Sequence, residues 1–110
     1  MNFNKTDTYT LVKLTEESVT DFVANFKENY AQIADDNLII DFSEKINTEI
    51  KDLLLLLKIS SKHRTNGLSF VIICTGIEID AIPEELNVVP TFTEALDILE
   101  MDAIERDLGF

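Results

Sequence analysis

Two short runs constrain this chain more than any other feature. NLIIDF (residues 37 to 42) and LSFVIIC (residues 68 to 74) are apolar at nearly every position and rich in Ile, Val, Leu and Phe. A strand with one wet face alternates apolar and polar residues. A run apolar throughout belongs to a strand covered on both sides, as in a parallel sheet. Parallel neighbours need a crossover between them, and the intervening segment supplies one: EKINTEIKDLLLLLK (residues 44 to 58) has helical composition, and Asn66-Gly67 ends it. The three pieces predict a strand–helix–strand unit with a right-handed crossover.

The flanks extend this unit. TYTLVKL (residues 8 to 14) reads as a strand. Val19, Phe22, Val23, Phe26, Tyr30 and Ile33 follow with the spacing of one helical stripe, and Thr15 is placed to cap that helix, with Glu16 and Glu17 near its positive end. Asp35, Asp36 and Asn37 form the turn out. Residues 75 to 85 read as irregular with room for one short helical turn, and LNVV (residues 86 to 89) as a short strand. PTFTEALDILEMDAIERDLG then reads as a closing helix: Thr91 and Glu94 form a capping-box pattern, Phe92, Ala95, Leu96, Leu99 and Ala103 line one face, and Gly109 follows its end. The expected architecture is a single α/β domain over residues 1 to 110, with a mostly parallel sheet of four to five strands and helices packed on it.

The leucine segment predicts a helix over residues 48 to 63. At about 100° per residue, five consecutive leucines, Leu53 to Leu57, sweep about 400° and cannot share one face. Ile50, Leu53, Leu54, Leu57 and Ser61 make the stripe expected on the sheet, which points Leu55, Leu56 and Ile59 elsewhere. Either neighbouring helices cover those three, or they form an apolar patch that binds a partner or another copy of the chain. At about 25 cal/mol per Å², leaving all three bare forgoes several kcal/mol, so some cover is expected.

Charge narrows the partners. The net charge is −12, and residues 77 to 110 hold ten acids against one base, Arg106. Phosphate backbones and anionic lipid would be repelled, so neither nucleic acid nor membrane is expected as a partner; a protein with a basic face is. No apolar run approaches a membrane span, and no basic flank followed by an apolar run marks a secretory signal, so the expected location is cytoplasmic. Cys74, the only cysteine, lies in FVIICT and is expected to be a buried reduced thiol.

Catalytic and cofactor patterns are missing from the sequence. The glycines Gly67, Gly76 and Gly109 are isolated, so there is no phosphate-cradling loop. One Cys and one His make no zinc set, and the acid pairs Asp35-Asp36 and Glu84-Glu85 lack calcium-loop spacing. His63, between Lys62 and Arg64 at a helix end, is expected on the surface. No enzymatic activity, cofactor or metal is expected. The start of the leucine helix is the candidate site: unpaired first-turn amides favour an anion there, and Asn47 or Thr48 is the expected cap.

The order of elements, the strand LIIDFS, the helix directly after a polar turn and the ending VVPTFTEALDIL resemble the STAS domain, the fold of bacterial anti-sigma factor antagonists. The resemblance covers residues 8 to 110, and MNF then stands for the first strand of the family's N-terminal hairpin. In that family a strand ending in Asp-Leu-Ser is followed, after a variable stretch, by Asp-Ser-Ser/Thr-Gly-Leu at the next helix. Asp41-Phe42-Ser43 is similar to the first piece, and Ile46-Asn47-Thr48-Glu49-Ile50 to the second, one residue short and without its Gly. Asn47 matches the Asp and Thr48 the first Ser; the phosphorylated hydroxyl falls on Glu49 or on Thr48, depending on where the gap lies. The resemblance therefore implies Thr48, Glu49 and Ser43 as candidate phosphoacceptor or fixed mimic. It also implies a protein partner, such as an anti-sigma or switch kinase, docking on Asn47, Thr48, Glu49, Leu55, Leu56 and Ile59. A scaffold that self-associates, as a homodimer or in a larger assembly, through Leu55, Leu56 and Ile59 is the alternative, and a small-ligand binder a third.

Overall fold

The computed structural model describes residues 1–42 and 48–109. Five strands, β1 (Asn2–Lys5), β2 (Thr10–Lys13), β3 (Leu38–Asp41), β4 (Phe70–Ile73) and β5 (Asn87–Val89), form one sheet in sequential order. β1 runs antiparallel to β2, and every other pair is parallel. The helices are α1 (Val19–Asn29), α2 (Ile50–Leu54), α3 (Leu57–Thr65) and α4 (Phe92–Asp107), with 3-10 turns at Tyr30–Gln32 and Ile79–Ala81. The expected mostly parallel α/β architecture is the observed one, and β1 pairs as the first strand of the hairpin.

Strands added one after another in a single direction by right-handed crossovers place every crossover on the same side of the sheet. That side holds the larger core. Val12, Leu38, Ile40, Phe70 and Ile72 meet Phe22 and Phe26 of α1, Leu53 of α2 and Leu56 between α2 and α3; Ile77 and Ile82 of the last crossover pack on the same cluster. The alternate residues Ile39, Val71 and Ile73 face the other way and meet Ala95, Ile98 and Leu99 of α4. β3 and β4 are thus buried on both faces, the reason their sequences are continuously apolar.

Three local expectations are corrected. Ser18, not Thr15, caps α1: its Oγ accepts from Asp21 N at 3.1 Å. His63 is not a surface residue but fully buried, and its ring nitrogens meet the Tyr30 hydroxyl and the Asp36 carbonyl. The leucine helix is two helices. Leu55 N and Leu56 N donate to Asp52 O and Leu53 O, three residues back, before Ser60 N donates to Leu56 O and α-helical spacing resumes. Such tighter turns put residues i and i+3 on one side, and Leu53 and Leu56 both go into the core. The buried stripe is Leu53, Leu56, Ser60 and His63, while Leu54, expected on the sheet, is 42% exposed. The closing helix matches its expected start: Thr91 Oγ1 accepts from Glu94 N at 3.2 Å and donates to the Glu94 carboxylate at 3.0 Å.

Candidate functional site

The candidate site lies where parallel strands end. Phe42 N donates to Ile73 O and Cys74 N to Val89 O, both at 2.9 Å, so the ends of β3, β4 and β5 are held in step. Gly76, at φ +76°, turns the chain away from β4. Thr48 and Glu49 lead into α2 beside this rim. Ser43 and Asn47 lie outside the described residues.

Thr48 differs from expectation. It is buried, and its hydroxyl has no hydrogen-bond partner of ordinary length among the described residues. It is not exposed as a kinase substrate would be. It lies near the Cys74 thiol, which burial pushes up in pKa while the Thr48 hydroxyl opposes the shift. Cys74 is free and buried, as expected. A cavity of about 100 Å³ beside it is lined by Thr75, Gly76, Ile82 and Val88 among others.

Glu49 takes the cap position expected for Asn47 or Thr48. Its backbone is extended, its N–H donates to the Asp52 carboxylate at 2.9 Å, and its own carboxylate stands in solvent 3.5 Å from Lys51 Nζ. α2 has five residues, too few for the dipole of a long helix to gather at its start. The negative group at this end is therefore a side chain of the protein itself.

Of the three apolar residues expected to face away from the sheet, the structure separates all three. Leu55 is 44% exposed, beside Leu54. Ile59 is half-buried against the core. Leu56 is fully buried, which removes it from any docking surface. Leu54 is the surface residue that sequence reasoning missed; the missing signal was the break after it, which no Pro or Gly announces. Among the described residues no group of His, Cys, Asp and Glu is arranged to hold a metal, and no helix is long and apolar enough to cross a membrane.

A five-stranded sheet with one antiparallel edge, three helices on one face and the C-terminal helix on the other is the STAS fold. A serine-to-glutamate variant of RsbS from Moorella thermoacetica superposes with a TM-score of 0.61 at 23% identity, over 93% of this chain and 96% of that one. A chain from the stressosome, described as a signal integration and transduction hub, gives 0.58 at 22% identity, over 93% and 98%. No protein-family model matches the sequence, and no curated protein is similar to it in sequence.

Proposed function

We propose that this chain is a non-enzymatic regulatory module that docks a protein partner through Glu49 and the exposed leucines after it, Leu54 and Leu55. The observation that carries the reading is that pair. Two adjacent leucines stand 42% and 44% exposed at the turn between α2 and α3, one short helix on from the solvent-facing Glu49 carboxylate. Exposed apolar groups placed together are what a partner surface buries. The similarity in fold to RsbS and to a stressosome chain supports a signalling assembly as the setting. An anti-sigma or switch kinase is the partner class that fits.

In this reading Glu49 supplies a fixed negative charge in place of a switchable hydroxyl. It carries one charge where a phosphate carries nearly two, so docking is set rather than toggled at this position. Thr48, with its hydroxyl enclosed, serves the packing under the site.

The test is affinity capture from the native lysate with wild type, Leu55→Lys and Thr48→Val. A kinase of the ATPase type retained by wild type and Thr48→Val but lost from Leu55→Lys supports the reading. Equal retention by Leu55→Lys would end it. A stressosome chain among the structural neighbours favours one further reading, self-association through the same leucines. Sedimentation separates the two: a concentration-dependent oligomer broken by Leu55→Lys is the scaffold, a monomer at all concentrations is the hetero-partner module.

A further inference from the structure

α4 covers its face of the sheet alone, and it uses only one side of itself to do so. Ala95 is buried and Ile98, Leu99 and Asp102 are half-buried. Met101, Ile104 and Leu108, at i, i+3 and i+7, are 56%, 52% and 64% exposed. At about 100° per residue this second stripe points away from the sheet. A helix apolar on two sides has a second surface to cover, and no element of the described chain covers it.

The charges beside the stripe have one sign. Asp97 stands one turn before Met101, Glu100 and Asp107 run along one flank, and Glu105 along the other. The helix's one base, Arg106, is turned to the sheet side: its guanidinium donates to Ser69 Oγ at 3.0 Å, and the Ser69 hydroxyl donates to Asp102 at 2.7 Å. Arg106 therefore leaves the acids of the outer face unneutralised. We propose that this face docks a basic amphipathic helix of a partner protein, whose apolar side chains cover Met101 and Ile104 and whose Lys and Arg meet the flanking acids. A second copy of this chain would bring the same acids against them, and anionic lipid or nucleic acid would be repelled in the same way. The face lies across the sheet from Leu54 and Leu55, so it serves an interaction separate from the one proposed there.

The probe is a dye-labelled synthetic peptide of leucine and lysine with the leucines on one helical face, compared with a peptide of the same composition whose leucines are spread around the helix. Fluorescence anisotropy against the full chain should show the amphipathic peptide binding about tenfold or more tightly than the spread one, and weakening as salt rises. Met101→Ser with Ile104→Ser should lose about tenfold, with thermal unfolding unchanged because both residues are exposed, and Leu55→Lys should bind as wild type. Equal binding of the two peptides, or of wild type and the double variant, overturns the proposal. So does a concentration-dependent dimer that the double variant abolishes, which would make a second copy the occupant.

Discussion

The Tyr30 hydroxyl lies 2.5 Å from Nδ1 of His63, and the other ring nitrogen of His63 lies 2.7 Å from the Asp36 carbonyl oxygen. The carbonyl can only accept, so Nε2 carries the proton and Nδ1 accepts from Tyr30. One neutral imidazole thereby joins the end of α1, the turn before β3 and the last turn of α3. The ring also packs edge-on against Phe70, with centroids 5.8 Å apart. Burial holds the His63 pKa below its ordinary 6.5, while the Asp36 carbonyl and the charges of Asp36 and Asp35 pull the other way.

A lowered pKa in the folded state means the unfolded chain binds the proton first as pH falls. The contribution of His63 is complete above about pH 6.5 and is lost as pH drops toward and through the lowered value. At about pH 7.5 His63→Gln should cost about 1–3 kcal/mol, since it removes the hydrogen bonds of a buried ring to half-buried partners. At about pH 5.5 the difference between variant and wild type should shrink, because wild type has lost part of the term the variant lacks. Urea unfolding of both proteins at the two pH values measures the gap. A gap that stays constant would mean that His63 titrates alike in both states.

Leu55 and Leu56 are neighbours in sequence with opposite surroundings, one 44% exposed and the other fully buried. Leu56→Ala should destabilise by about 2–5 kcal/mol, since it empties space in the core under the α2–α3 junction. Leu55→Ala should stay within about 0.5 kcal/mol, the range of surface changes. Chemical denaturation of each variant checks both. Comparable losses at the two positions would contradict the placement of Leu56 in the core and Leu55 at the surface.

That break also marks where the sequence stopped being readable. The buried strands were legible because NLIIDF and LSFVIIC carry no polar face to misplace, and the start of α4 because Thr91 and Glu94 cap locally. Five leucines in a row carry no phase. What sets the phase is the stripe Leu53, Leu56, Ser60, His63, half of it polar, and a polar residue reads as solvent-facing until its partners are known. Those of His63 come from Tyr30 and Asp36, 33 and 27 residues away in the chain. At the candidate site the same blindness exchanged two neighbours. Thr48, a good capping residue by type, went inside, and Glu49 took the cap because Asp52 was placed to bind its N–H.

Thr48 gives the sharpest contrast between a switch and a packing role. Its buried hydroxyl has no ordinary hydrogen-bond partner among the described residues, and a buried unpaired hydroxyl costs about 1–3 kcal/mol. Thr48→Val keeps the branched shape and removes the polar atom, so it should raise stability by about 1 kcal/mol. Ser60→Ala should do the same in α3, where Ser60 Oγ is also buried without a hydrogen-bond partner among the described residues and alanine favours the helix. Thr48→Val leaves Cys74 buried, so alkylation of that thiol should stay slow and become fast only on unfolding. Urea midpoints and thiol labelling rates measure the two effects on the same samples. A loss of stability in Thr48→Val with faster labelling of Cys74 would show that the hydroxyl holds the rim of the sheet together, and the packing role argued for it would be wrong.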